Sequence, residues 1–112
     1  MYYIKVKTEV QGFHRYKNAP EEVGFLRNFH RHLFKVEAKI KVDHKNRDEE
    51  FFLIKKKIDQ YLEENYKDVY FEESCEEMAG HIMEFLREEL LNCLRVEVSE
   101  DGENIGGVMF YG

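Results

Sequence analysis

A chain of 112 residues is the length of one domain with one modest hydrophobic core, and 43% hydrophobic with 14% aromatic residues is too rich for a disordered segment. A net charge of −6 argues against nonspecific nucleic-acid binding, which needs an excess of Lys and Arg. No apolar run approaches the roughly 18 to 20 residues of a membrane span, so neither nucleic acid nor membrane is expected as a partner. With a single proline, Pro20, and no Pro/Gly/Ser-rich linker, residues 1–112 read as one domain. The N-terminus alternates instead of forming a signal-peptide block, and Cys75 and Cys93 are too few for a secreted disulfide framework, so a cytoplasmic location is expected.

From Tyr2 to His14 the pattern has period two. Tyr2, Ile4, Val6, Thr8, Val10, Gly12 and His14 fall on one face and Tyr3, Lys5, Lys7, Glu9 and Gln11 on the other, a half-buried strand. Asn18 to Glu22 breaks the alternation, and Pro20 suits the start of a turn or short helix. A second alternation puts His30, His32, Phe34, Val36, Ala38, Ile40 and Val42 on the apolar face of another long strand, with Arg31, Leu33, Lys35, Glu37, Lys39 and Lys41 opposite. From about Phe52 to Asn65 the period becomes helical. Ser74-Cys75-Glu76-Glu77 is a capping box, and Met78, Ala79, Ile82, Met83, Phe85, Leu86, Leu90 and Leu91 form the apolar stripe of a second helix. Leu94, Val96, Val98 and Glu100 share the inner face of a third strand, Asp101 to Asn104 is turn chemistry, and Gly106 to Tyr111 is a fourth strand. The expected fold is α+β, order ββααββ: a four-stranded antiparallel sheet with two helices on one face.

His14 closes the apolar register of the first strand, and His30 and His32 open that of the second. In an antiparallel hairpin those ends are neighbours, so the three imidazoles converge, and three neutral imidazoles with an open fourth position describe a catalytic-type metal site. The alternative is three hydrogen-bonded core histidines. Charge is also uneven. Residues 1–47 carry 11 Lys/Arg against 5 Asp/Glu, and residues 48–112 carry 6 against 18. Arg15, Lys17, Arg27 and Arg31 lie beside the histidines in sequence, which reads either as a place for an anionic ligand or as solvated side chains on strand ends. Glu100 falls on the apolar register of its strand, where a buried carboxylate needs partners; the alternative is a strand-end Glu exposed to water.

Phe13-His14-Arg15 and His30-Arg31-His32 resemble the zinc motifs of the 6-pyruvoyl-tetrahydropterin synthase and 6-carboxytetrahydropterin synthase family, the tunnelling fold. Ser74-Cys75-Glu76-Glu77-Met78-Ala79 resembles that family's Thr-x-Glu-Asn-x-Ala helix start, and Val96 to Asp101 its third-strand ending. The resemblance implies zinc on His14, His30 and His32. It implies a pterin or purine ring on Glu100, whose carboxylate matches a ring N–H and exocyclic amine, with Ser74 and Cys75 near the pocket. It also implies a homo-oligomer, a trimer or stacked hexamer joined edge to edge. The implied activity is a lyase acting on a dihydroneopterin-triphosphate-like substrate, on the path to 7-deazaguanine (queuosine) or biopterin, with the basic residues meeting the phosphates.

The chain departs from the family at three points. The catalytic Cys position is Gly24, the middle Gly of His-Gly-His is Arg31, and no His lies between Lys45 and Gly80 to match the family's Asp-His step. Cys75 and Glu22 are the candidate replacements for the missing catalytic groups. Their absence opens a second reading, a noncatalytic zinc-containing pterin- or purine-binding module.

Overall fold

The structure, a computed structural model, describes residues 1–111. Two 13-residue strands, β1 (Tyr2–His14) and β2 (His30–Val42), pair antiparallel along their whole length. Between them Pro20 opens a 3-10 helix, Glu21–Arg27. Helix α1 (Phe51–Asn65) follows, then a two-residue strand β3 (Tyr70–Phe71), helix α2 (Cys75–Glu88), and the antiparallel strands β4 (Cys93–Glu100) and β5 (Asn104–Met109). No helix among the described residues is long and apolar enough to cross a membrane.

The α+β class and the two main helices agree with the sequence pattern, but the sheet does not have the four antiparallel strands expected. It has five, in the order β3-β1-β2-β4-β5, and β3 runs parallel to β1 beside Phe13 and His14. Two residues carry no periodicity, so β3 leaves no hydrophobic signature. The 3-10 helix adds a third helical element.

Alternation along β1 and β2 decides the core. Val6, Val10, Phe34, Val36, Ala38 and Ile40 are buried against Ile54, Ile58 and Leu62 of α1 and Met78, Ala79, Ile82 and Leu86 of α2. The α1 residues recur every fourth position and so form one stripe; full burial of each is worth about 1.5–3 kcal/mol. Both helices start on side-chain caps. The Glu50 carboxylate accepts from the N–H groups of Phe52 and Leu53, and Ser74 and Glu77 form the capping box read from the sequence.

One register differs. A bulge between Lys39 and Ile40 brings Cys93 opposite Ile40, so Cys93 enters the core and Leu94, expected there, is only half-buried. At the other end of the sheet Gly12 answers a packing demand. A side chain there would press a Cβ to 2.7 Å from the Phe71 ring and 3.0 Å from the Tyr66 carbonyl, so only glycine lets the 66–71 segment cross β1 beside His14.

Candidate metal and ligand site

The β1–β2 register places His14 directly opposite His30 and Gly12 opposite His32. Alternation turns all three imidazoles to the helix side of the sheet. Their ring centroids lie 6.3 Å (His14–His30), 6.5 Å (His14–His32) and 4.4 Å (His30–His32) apart. Phe34 and Phe71 wall the cluster, with centroids 5.8 and 5.3 Å from that of His14. The convergence read from the sequence is present.

Each ring has one nitrogen committed to an acceptor. His14 Nε2 donates to the Glu73 carbonyl at 2.7 Å, His30 Nδ1 to the Asn28 carbonyl at 2.7 Å, and His32 Nδ1 to the Asp101 carboxylate at 2.7 Å. In a neutral imidazole the other nitrogen then carries a lone pair. His14 Nδ1, His30 Nε2 and His32 Nε2 are therefore free donors to a cation. Burial holds the His14 pKa below its ordinary value, outweighing the Glu73 carbonyl and the Glu100 carboxylate, and keeps that ring neutral.

Glu100 closes the cluster from β4. It pairs with Phe34, two residues from His32, and its carboxylate lies 3.8 Å from His14 Nδ1 and 3.3 Å from His32 Nε2. Despite that approach, the buried His32 Nε2 has no hydrogen-bond partner among the described residues. A lone pair and a carboxylate oxygen are both acceptors, and at this separation they repel unless a proton or a metal ion lies between them.

The donor chemistry fits a zinc ion: three imidazole lone pairs, second nitrogens fixed by a carboxylate and two carbonyls, and an orphaned buried nitrogen. The rings are not yet closed on one point. Zn–N bonds of about 2.0–2.1 Å hold imidazole centroids roughly 5 Å apart, whereas the pairs involving His14 are wider and the His30–His32 pair is tighter. Among the described residues no three His, Cys, Asp or Glu side chains already surround a common point.

Beside the histidines lies a cavity of about 580 Å³. His14 and Glu100 form its inner wall, and Ser74, Cys75 and Glu76 come from the start of α2. Ser74 thus lines the cavity while also capping the helix. Burial, then Glu100 and Glu76, pushes the Cys75 thiol up to about 11, so it is protonated at neutral pH. Glu22 is exposed on the 3-10 helix and does not line the cavity. Gly106 on β5 leaves the space that the Glu76 carboxylate fills.

None of the cations expected to meet phosphates lines this cavity, and only Arg15 stands at its edge, through Glu72. Arg15 pairs with Glu72 at 3.1 Å and its guanidinium covers the Phe29 ring. Arg27 donates to the Ala19 carbonyl at 2.8 Å. Arg31 is exposed opposite Phe13, so alternation puts it on the sheet face away from the histidines. Lys17 is exposed in the turn after β1. A larger groove of about 610 Å³ contains Lys7, Lys35, Glu37 and Glu97 with none of the histidines.

Two contributors were not singled out from sequence. Asp101, read only as a turn residue, orients His32 through Oδ2 and accepts the Leu33 N–H through Oδ1 at 2.9 Å. These bonds, the Leu33 N–H first, hold its carboxyl below the usual range. Glu73 acts through its backbone carbonyl, which no side-chain pattern encodes. Its carboxylate takes the Tyr66 hydroxyl at 2.7 Å and His81 Nδ1 at 2.9 Å.

No family model matches the sequence, and no curated protein matches it. Solved structures do. The 6-pyruvoyl tetrahydropterin synthase of Caenorhabditis elegans superposes with a TM-score of 0.76, covering 98% of this chain and 96% of that one at 14% identity. An uncharacterised protein from Wolinella succinogenes gives 0.72 over 96% of this chain and 97% of its own, at 16% identity. The chain has a 6-pyruvoyl tetrahydropterin synthase-like fold. At these identities the likeness is one of fold, so the roles of the histidines and Glu100 in this tetrahydropterin synthase-like domain rest on their own geometry.

Proposed function

We propose that the chain is a zinc-dependent, pterin-directed protein of the 6-pyruvoyl/6-carboxytetrahydropterin synthase type, with His14, His30 and His32 as metal ligands and a dihydroneopterin-like molecule in the adjoining cavity. The observation that carries this reading is His32 Nε2, a buried acceptor 3.3 Å from the Glu100 carboxylate with no hydrogen-bond partner among the described residues. A dication held by His14, His30 and His32 would remove that repulsion. It also frees Glu100 to accept the ring N–H and amine of a pterin, a bidentate match for a carboxylate. Bound zinc supplies Lewis acidity toward side-chain oxygens of the ligand. Asp101 and the Glu73 and Asn28 carbonyls hold the imidazole tautomers, and Phe34 and Phe71 keep water from the apolar side of the cluster.

A second reading, a binding module without turnover, is favoured by Gly24 at the family's catalytic position and by the protonated Cys75 thiol. One experiment addresses both. Zinc is counted per chain in wild type and His30→Ala, and the zinc-loaded wild type is incubated with dihydroneopterin while binding and side-chain conversion are followed. The proposal expects about one zinc per chain, lost in the variant, and saturable pterin binding; conversion selects the synthase reading and its absence the module. Wild-type protein that takes up no zinc sinks the proposal.

A further inference from the structure

We infer that Tyr66 and His81, acting through the Glu73 carboxylate, are positioning residues for His14: they fix the carbonyl that keeps its metal-facing nitrogen free of a proton. This rests on the zinc reading above and adds residues to the same site. His14 is 8% exposed and stands between two acceptors, one at each end of its ring. The Glu73 carbonyl is 2.7 Å from Nε2, and the Glu100 carboxylate is 3.8 Å from Nδ1. A neutral imidazole has one N–H to place. A carboxylate is the stronger acceptor of the two, so the proton stays on Nε2 only while the carbonyl keeps its shorter distance. Were the carbonyl to draw back, the proton would move to Nδ1, toward Glu100, and the lone pair aimed at the metal would be lost.

What holds that carbonyl is not the backbone. Glu73 lies between β3 and the Ser74 cap of α2. Among the described residues it makes no backbone–backbone hydrogen bond, and the last one from this segment to β1 ends at the Phe71 carbonyl. Its side chain is tied instead. One carboxylate oxygen, Oε2, accepts the Tyr66 hydroxyl at 2.7 Å and His81 Nδ1 at 2.9 Å. The donors come from two elements, Tyr66 from the end of α1 and His81 from α2. Tyr66 is 2% exposed, and a hydroxyl buried that far is costly without a partner. Its ring also packs on Phe71 at 5.1 Å between centroids, and Phe71 packs on His14 at 5.3 Å. The phenol thus reaches the imidazole twice, by hydrogen bonds through Glu73 and by ring contact through Phe71.

The test has two readouts on the full chain. Zinc affinity is measured against a chromophoric chelator, and the His14 proton is located in the metal-free protein from its imidazole nitrogen resonances. Glu73→Ala removes the acceptor. Tyr66→Phe combined with His81→Ala removes both donors while keeping the ring against Phe71. Each should weaken zinc binding about tenfold and shift the His14 proton toward Nδ1. Glu73→Gln, whose amide oxygen accepts both bonds, should restore both readouts. Ile58→Val, which loosens the same core without touching the network, should leave them unchanged. A broken variant in which either readout keeps its wild-type value overturns the inference and leaves the zinc reading standing. So does Glu73→Gln as weak as Glu73→Ala, which would show charge acting in place of position, or an equal loss in Ile58→Val, which would show general loosening. A wild-type chain that takes up no zinc overturns the zinc reading itself and this inference with it.

Discussion

Asp101 is the residue through which the histidine cluster can be tested most selectively. It sits at φ 56°, a left-handed conformation that Asn adopts at least as readily as Asp. Asp101→Asn therefore keeps the turn, and its amide oxygen still accepts from Leu33. Its NH2 group, however, donates to His32 Nδ1 where the carboxylate accepted. That drives the imidazole into the tautomer with its proton on Nε2 and removes one donor lone pair. Zinc affinity measured against a chromophoric chelator should fall about 10- to 100-fold with little change in melting temperature; a change within twofold would show that His32 does not bind through Nε2. Cys75 can be tested by reactivity. With its thiol pushed up to about 11 by burial and then by Glu100 and Glu76, only roughly one molecule in a thousand is thiolate at pH 8. Carboxamidomethylation of the Cys75 peptide, followed by mass spectrometry, should be slow at neutral pH and accelerate about tenfold per pH unit toward pH 11. A reaction that levels off near pH 8 would restore Cys75 as a nucleophile.

At the scale of elements, α2 ends on a strained residue that is open to improvement. Leu90 lies at φ 63° and is 93% exposed, while the Leu91 N–H reaches back to the Leu86 carbonyl at 3.1 Å, the long bond of a Schellman ending. Glycine is the usual residue at such a position because it lacks the Cβ penalty, and here almost no packing is lost by removing the side chain. Leu90→Gly should stabilise the domain by about 1 kcal/mol, read as a later urea midpoint at unchanged m-value. Elements of this kind also show what the sequence could reveal. The two long strands, both main helices and the meeting of three histidines were legible, because each rests on a period that burial enforces. β3 was not, since two residues beside Phe13 and His14 have no period. The Lys39/Ile40 bulge was not either, because it reconciles β2 with a strand some fifty residues away. The places of the basic residues were not legible for a related reason. Arg15 and Arg31 neighbour the histidines in sequence, but Arg15 meets Glu72 from a distant segment and alternation sends Arg31 to the other face.

At the scale of the molecule, the domain is long for its mass. Its extents are 50 × 26 × 23 Å and its radius of gyration is 14.9 Å, against about 13 Å for a compact chain of this length. The length comes from two 13-residue strands, about 43 Å each at about 3.3 Å per residue. Helices cover only one face of their sheet. Its edges are open as well. β3 covers β1 only at Phe13 and His14 and the Asp68 N–H reaches the Gln11 carbonyl, leaving no strand beside the outer side of Tyr2 to Val10 among the described residues, and β5 is the other edge. Beside β5 stand Ile105, Met109, Phe110 and Tyr111, 61%, 53%, 41% and 85% exposed. Long edges flanked by apolar side chains recruit another strand, and β5 of one copy against β1 of the next would be a head-to-tail contact, the kind that makes a ring when its rotation closes. With the trimer or stacked hexamer that the family resemblance implies, light scattering should report three or six times the 13.6 kDa chain mass. Ile105→Lys combined with Met109→Lys puts two charges beside that edge without touching the buried core, and should yield monomers with an unchanged far-ultraviolet dichroism spectrum. A wild-type chain that stays monomeric at about 0.1 mM would show that these edges do not pair, and any ligand would then have to be held by the residues of one copy alone.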